Sequence, residues 1–520
     1  MARFYLTTAI DYANGDPHIG HAYEKIGADV IARYHRLRGD DVHFLTGMDE
    51  HGQKVSQAAA ERGLTPQDFV DQIADRFQAM WTRLGISHDQ FIRTTDPAHQ
   101  AGVRALIKRV HDRSPDDFYE RTYEGWYCVG CELFKRDNEI ADGRCVLHPT
   151  RELQWTQERN WFFRLSRYRD FLGRLFTERP DFLQPAARRN EILSLMEQGL
   201  EDISITRSRL TWAIPFPFQS SDGETQGTWV WFDALPNYLT ATGYPDGSWR
   251  DRWPADLHVI GKDITRLHAV VWPAMLQAAE LPLPHRVWAH GFVNFGGERF
   301  SKSAGVRLEV ADAVDRYGSD AFRYFLLREV PFDADGNFSW ERFDERYTAD
   351  LANALGNLAS RSIAMVERYR GGTVPPGPRT GLDDADGEDV RAYHAALDGG
   401  RGYLLHEGLQ AVWRMVARGN EYVDRQAPWK QAKDPTQAAA LDETLASLIR
   451  QLARVAVLLQ PYMPARTAAL WQQLGGEGGL TARRYSDLMS LDATAWRVSR
   501  GEPLFPKDRA VGDGNAARPN

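Results

Sequence analysis

Two short motifs carry residue types suited to holding phosphate. Asp16-Pro17-His18-Ile19-Gly20-His21 lies close to the N-terminus, and Arg299-Phe300-Ser301-Lys302-Ser303 lies in the middle of the chain. The first sets two imidazoles around a glycine, where an apolar strand pattern hands over to a helical one. A helix N-terminus offers unpaired N–H groups and the positive end of the helix dipole, which favours phosphate. His18 and His21 would add side-chain donors there, and Gly20 would let a ligand approach the backbone closely. The second motif puts Lys302 between two serines in a loop-like stretch. Either motif alone also suits an ordinary surface turn. Their order and separation are more specific, and point to one nucleotide gripped from two sides.

A third cluster has the spacing of metal ligands. Cys128-x2-Cys131 and Cys145-x2-His148 stand 13 residues apart and use all three cysteines of the chain. Two close pairs of soft ligands are what a tetrahedral zinc needs, and four protein ligands leave no open position, so the metal expected is structural. So few cysteines fit a reducing cytosol better than a disulfide framework.

The elements that must position these residues follow from hydrophobic period. Phe4 to Thr8 reads as a buried strand, and Tyr23, Ile26, Val30, Tyr34 and Leu37 recur at helical spacing, with Gly39 as a stop. Val42 to Thr46 reads as the next strand, and strand–helix–strand at this spacing predicts a parallel sheet with a nucleotide at its carboxyl edge. Helical patterns run from about Thr65 to Arg113. Phe118 to Pro217, with the cysteines and many aromatics, reads as an insertion between two halves of the sheet. Strand patterns resume at Trp229–Asp233 and Leu257–Gly261, and the chain turns mostly helical after Asp320. Gly371 to Gly387 reads as a linker between two helices, and the residues from about Arg509 as a disordered tail.

The 520 residues allow two or three domains, and 43 % hydrophobic with 26 % charged content is ordinary for a globular protein. A net charge of −8 gives no global basic signal, so a nucleic-acid partner would need local basic patches. No apolar run is long enough to span a membrane, and the first residues lack the apolar core of a signal peptide. The expected location is the cytoplasm, with no membrane partner.

The paired motifs resemble those of class I aminoacyl-tRNA synthetases, which carry a His-Ile-Gly-His signature and a later Lys-Met-Ser-Lys-Ser loop. The first is intact here from His18 to His21. In the second, Arg299 and Phe300 replace Lys and Met, and Lys302 matches the catalytically central lysine. Four further stretches narrow the resemblance to the methionyl-tRNA synthetase family, nearly to residue 500: Tyr12-Ala13-Asn14-Gly15, Phe44 to Gly52, Trp231 to Tyr238 and Ile260 to His268. The large editing insertion of the valine, isoleucine and leucine enzymes is absent, and no cysteine lies near the first signature, as a cysteine enzyme would require. A nucleotidyl-transferase that charges no tRNA would not need the anticodon-type residues given below. A zinc-ribbon binding protein would leave the nucleotide motifs unexplained.

The resemblance implies an α/β fold. It would comprise a Rossmann-type parallel-sheet catalytic domain with a zinc-bearing insertion, followed by an all-α anticodon-binding helical bundle. The implied divisions are catalytic halves at 1–117 and 226–275, an insertion at 118–225, a linker with the Ser-Lys-Ser loop at 276–348, the bundle at 349–500 and a tail at 501–520. It implies that L-methionine is activated with ATP, accompanied by magnesium, and transferred to tRNA(Met), including the initiator. His18, Gly20, His21 and Lys302 would bind ATP, with His18, His21, Lys302 and Asp263 in catalytic roles. Asp49 would hold the substrate ammonium. Ile10, Tyr12, Trp231, Ala234, Tyr238, Ile264 and His268 would form the side-chain pocket, a setting of aromatic edges and aliphatics that suits a thioether. Asp11 departs from the family, which usually has an apolar or aromatic residue there. Asn357, Arg361 and Trp429 match its anticodon readers; Asn357 and Arg361, four apart, share a helix face. A zinc knuckle in the insertion agrees with the cysteine cluster. The chain ends soon after the helical region, without the dimerising module some members append, so the expected state is a monomer.

Overall fold

The structure, a computed structural model, describes residues 2–129, 133–135, 137–146, 148–208, 210–295, 298–299 and 309–507. Its centre is a parallel sheet. β1 (Arg3–Thr8) lies beside β3 (Asp41–Asp49), the short β2 (Asp11–Tyr12) continues along the same side of β3, and β4 (Gln90–Arg93) pairs with β3 as well. On the other side of β1 the order is Leu257–Gly261, then Val287–His290, then Leu183–Gln184. All of these pairings are parallel. Strands buried on both faces read as near-continuous apolar runs, as Leu6, Phe44, Leu45, Val259 and Ile260 do here. The chain runs from β1 to β3 and β4 on one side, then returns to place Leu257–Gly261 on the other. That reversal makes a crevice at the carboxyl ends of β1 and Leu257–Gly261, where ligands bind in open α/β sheets.

Helix α1 (Ile19–Arg38) follows β2 and ends at Gly39, whose φ of 92° lies in the left-handed region that glycine adopts without strain. Its apolar stripe packs on the sheet, with Tyr23, Ile26, Val30 and Tyr34 fully buried.

The inserted segment is built on a long antiparallel hairpin, Phe118–Cys128 with Gln154–Phe163, in register from Phe118↔Phe163 to Tyr127↔Gln154. The chain then re-enters the central sheet as its edge strand Leu183–Gln184. A two-residue strand has no period to read, so this return was not legible in the sequence.

Three other elements differ from expectation. Gln90–Arg93, inside the stretch expected to be helical from about Thr65 to Arg113, is the sheet strand β4, too short a run to show a period of its own. Trp229–Asp233 is not a strand: the chain forms the short helix Val230–Ala234. A short apolar run suits a buried strand or a buried helix equally; here the helical form seats Asp233 between two buried histidines, described below. The Gly371–Gly387 linker is shorter than expected, because the helix Gly381–Leu397 starts inside it. Thr380 and Asp383 form a capping box, Asp383 accepting the Thr380 N–H at 2.9 Å, and acidic residues in a first turn complement the dipole. The helices Asn357–Arg370, Gly381–Leu397, Leu405–Gln426 and Ala438–Leu459 build the C-terminal half. The tail from residue 508 lies outside the described residues. Among the described residues no helix is long and apolar enough to cross a membrane.

Candidate active site

A cleft of about 530 Å³ opens at the crevice between β1 and Leu257–Gly261. His18, Gly20 and His21 border it on one side; Asp263 and Ile264 do so on the other. Ile10, Tyr12, Asp49, Trp231, Ala234, Tyr238 and His268 line it as well. The structure thus brings together every expected ATP and amino-acid residue except Lys302, which lies outside the described residues. The strands flanking its loop are described: Val293–Phe295 pairs with Glu298–Arg299 and with Gly336–Phe338. Gly291, Phe292 and Val293 border the cleft.

His18 is the N-cap of α1. Its Nδ1 accepts the N–H groups of Gly20 at 3.1 Å and His21 at 3.4 Å, while the His18 N–H donates to His21 Nδ1 at 3.3 Å. The two rings stack with centroids 3.5 Å apart. This reciprocal cap corrects the expectation that bare helix N–H groups meet the phosphates, because two of them are already taken. It also settles the tautomers. Each Nδ1 accepts, so each neutral ring carries its proton on Nε2. A Cβ on Gly20 would come 3.0 Å from His18 Cε1, so the glycine leaves room for the capping ring. The first turn of α1 contains no acidic residue.

Tyr12 and Asp49 are register partners across β2 and β3. Gly47, two residues before Asp49 on β3, lies where β4 approaches: a Cβ there would meet Ile92 O at 2.2 Å. Asp49 is buried, and Lys54 Nζ lies 5.2 Å from the Tyr12 ring centroid. Deeper in, Tyr238 Oη lies 2.7 Å from His268 Nε2, and His268 Nδ1 lies 3.0 Å from Ile264 O. The carbonyl can only accept, so Nδ1 carries the proton and Tyr238 donates to Nε2. Burial pushes His268 down to about 4, so the ring is neutral at neutral pH.

This burial has a measurable consequence. The unfolded chain protonates a histidine near pH 6.5, whereas folded His268 resists protonation until about 4. Its contribution is therefore intact above pH 6.5 and lost as pH falls toward 4. The stability advantage of wild type over His268→Gln is expected to shrink by about 2 kcal/mol between pH 7.5 and 5, at about 1.4 kcal/mol per pH unit below 6.5. Urea unfolding at the two pH values measures it; a constant gap would rule out a buried neutral ring.

Several residues of the site escaped the sequence reading. His51 Nδ1 lies 2.6 Å from Asp233 Oδ2, and His99 Nε2 lies 3.0 Å from Asp233 Oδ1, all three side chains buried. Burial disfavours the charged His51 ring, but the Asp233 carboxylate outweighs it and holds the histidine above its ordinary value. These bonds tie the turn after Asp49 to the helix bearing Trp231. Beneath His21, Lys25 is fully buried and donates to Asp11 Oδ1 at 2.7 Å, Glu24 Oε1 at 2.8 Å and Ala9 O at 2.9 Å. Asp11 lines the cleft. The signal for this cluster was present: His21 and Lys25 are four apart on a helix, and a Glu-Lys pair interrupts an otherwise apolar face.

Elsewhere, Cys128 and Cys145 are each 1 % exposed, and Cys145 is the register partner of His148 across a tight hairpin. Cys131 and the side chain of His148 lie outside the described residues. In the helical half, Asn357 opens a helix and Arg361 sits one turn on. The Arg361 guanidinium lies 6.0 Å from the Trp429 ring centroid and pairs with Asp424 at 2.9 Å. Trp429 follows Ala427, whose φ of 45° is unusual for a side-chain-bearing residue, and Pro428, which restricts the residue before it.

Comparison with known proteins agrees with this geometry. A family model described as "tRNA synthetases class I (M)" matches residues 4–147 and 136–363, and one described as "Anticodon binding domain of methionyl tRNA ligase" matches 382–507. A methionine–tRNA ligase of Thermosynechococcus vestitus is 42 % identical over 97 % of this chain and 97 % of its own length. One from Caldanaerobacter subterraneus is 41 % identical over 97 % of this chain and 78 % of its own. The structure of Mycobacterium tuberculosis methionyl-tRNA synthetase in complex with methionyl-adenylate superposes with a TM-score of 0.91 at 40 % identity, covering 97 % of this chain and all of that one. The chain belongs to the methionyl-tRNA synthetase family of class I aminoacyl-tRNA synthetases.

Proposed function

We propose that the cleft activates L-methionine with ATP, giving methionyl-adenylate and pyrophosphate. The chain then transfers methionine to the terminal adenosine of tRNA(Met), initiator included: it is a methionine–tRNA ligase. The observation that carries this reading is that His18 and His21 open into the same cleft as Asp49 and the Trp231–Tyr238–His268 pocket.

The substrate carboxylate is ionised at neutral pH and attacks the α-phosphorus without a general base. An oxygen–phosphorus bond forms as the bond to pyrophosphate breaks, so the chain's task is to position the reactants and stabilise phosphoryl charge. His18 and His21 donate Nε2–H to phosphate oxygens, and Lys302 reaches the leaving pyrophosphate from its loop. Magnesium, when bound with ATP, offsets part of the phosphate charge. Asp263, at the cleft mouth, orients the substrates. Asp49 pairs with the ammonium in a low-dielectric setting, where a charge-assisted bond is strong. Tyr238 and His268 satisfy each other, so the pocket meets the thioether with ring faces and edges, a favourable contact for a polarizable sulfur. Ile10, Tyr12, Trp231, Ala234 and Ile264 complete that wall. In the second step a ribose hydroxyl of the tRNA attacks the adenylate carbonyl and AMP leaves. Asn357, Arg361 and Trp429 read unstacked anticodon bases by edge hydrogen bonds and stacking.

Pyrophosphate exchange driven by each of the twenty amino acids tests the reading. Methionine alone is expected to support exchange; strong exchange with another amino acid, or none with methionine, would overturn it.

Zinc would be held by Cys128, Cys131, Cys145 and His148. The donor set fits: two buried thiols sit on separate hairpins of a small insertion, a setting for a structural metal. Metal analysis should find one zinc per chain, lost in Cys145→Ser. Full occupancy in that variant would reject the ligand set.

A further inference from the structure

The cluster beneath His21 carries charge that adenylate formation as described does not use. Asp11, 5 % exposed, borders the cleft proposed to take ATP, and Lys25, 0 % exposed, lies against it. All three Lys25 N–H groups are engaged, by Ala9 O, Asp11 Oδ1 and Glu24 Oε1. No hydrogen is left for the second carboxylate oxygen, and Asp11 Oδ2 is buried with no hydrogen-bond partner among the described residues. A buried acceptor left unsatisfied is costly, and an ionised one more so.

The surroundings do not neutralise it. Asp11 and Glu24 bring two carboxylates to one lysine. His290, from the strand Val287–His290, reaches Glu24 Oε2 at 3.1 Å rather than Asp11. Asp49 adds another acid on the neighbouring strand, one register position beyond the Asp11↔Met48 pair. On the cleft side His21 Nε2 stands 4.0 Å from Asp11 Oδ1. His21 carries its proton on Nε2, because its Nδ1 accepts the His18 N–H. An ionised Asp11 therefore competes with phosphate for that N–H and repels the incoming charge.

We propose that Asp11 is a positioning residue for ATP, acting through His21, and that the nucleotide enters with uptake of one proton at the Asp11 carboxyl. Protonation removes the buried negative charge and the repulsion together, and ends the pull of Asp11 on the His21 N–H. The inference rests on the reading that His18 and His21 hold ATP. Burial raises the Asp11 carboxyl, Lys25 lowers it and Glu24 raises it again, leaving it at about 7. Below that pH the carboxyl is already neutral. Above it, binding must carry a proton in, and the apparent affinity for ATP falls by up to about tenfold per pH unit.

Calorimetric titration of wild type and Asp11→Asn with a non-hydrolysable magnesium–ATP analogue, in buffers of different ionisation enthalpy, counts the protons. At pH 7.5 wild type should take up a substantial fraction of a proton more than the variant. Its affinity should fall several-fold between pH 6.5 and 8.5 relative to the variant. Equal proton counts and parallel pH profiles would overturn the proposal. Should the variant fail to fold, absence of proton uptake by wild type at pH 7.5 would overturn it alone. No analogue binding to folded protein would instead remove the phosphate reading of His18 and His21, and this inference with it.

Discussion

Replacing His21 with Asn lowers methionine-dependent pyrophosphate exchange by about 10²-fold to 10³-fold, the usual cost of one donor aimed at developing phosphoryl charge. His21→Gln restores most of it. The contrast follows from which ring atom does what. His21 Nδ1 accepts the His18 N–H and closes the cap of α1, while Nε2 carries the donor. An asparagine oxygen occupies the place of Nδ1 and keeps the cap, but offers no donor at the Nε2 position. A glutamine amide reaches the Nε2 position and loses the cap. The two substitutions should therefore split activity from stability: Gln costs about 1 kcal/mol in unfolding free energy while retaining turnover, and Asn the reverse. Exchange rates with parallel denaturant curves measure both. Equal losses of activity in the two variants would mean that the ring acts through helix geometry alone.

Trp429→Ala should reduce aminoacylation kcat/KM by about 10-fold to 100-fold, while pyrophosphate exchange changes by less than twofold. Stacking one base on an aromatic ring contributes about 1–3 kcal/mol, which sets the first figure. The second follows from position: Trp429 belongs to the helical half and does not line the cleft. At 38 % exposure the ring has a face to offer, and Arg361, 6.0 Å from its centroid, orients it before any base arrives. Comparable losses in both assays would indicate damage to folding instead of lost recognition.

The proposed amino-acid half of the site rests largely on resemblance. Taken alone, Trp231 and Tyr238 have the sequence context of ordinary core aromatics, and Tyr238 is in fact fully buried. The proposed ATP half rests on residue type and position, since His18 and His21 fall where a strand pattern gives way to a helical one. Its detail was not legible in the sequence: a motif specifies that two imidazoles sit at a helix start, but not that each caps the other's backbone. The Trp229–Asp233 segment shows why short apolar runs mislead. Its helix is selected by the partners of Asp233, His51 and His99, which come from sequence positions far away.

By itself the sequence determined the parallel sheet, the helix that follows β2 and the place of His18 to His21 at the start of that helix. These are properties of local period and spacing, which each segment carries without knowledge of the rest. Only the tertiary structure decided the tautomer of His268, the His51–Asp233–His99 link and the seating of Asp11 against Lys25. Each depends on which buried donor meets which acceptor along the chain: 14 residues apart for Asp11 and Lys25, 30 for Tyr238 and His268, 182 for His51 and Asp233. Asp11 makes the point most sharply. In the sequence it is a polar residue at an apolar position; in the fold it is a carboxyl group with one oxygen held by Lys25 and the other buried without a partner among the described residues.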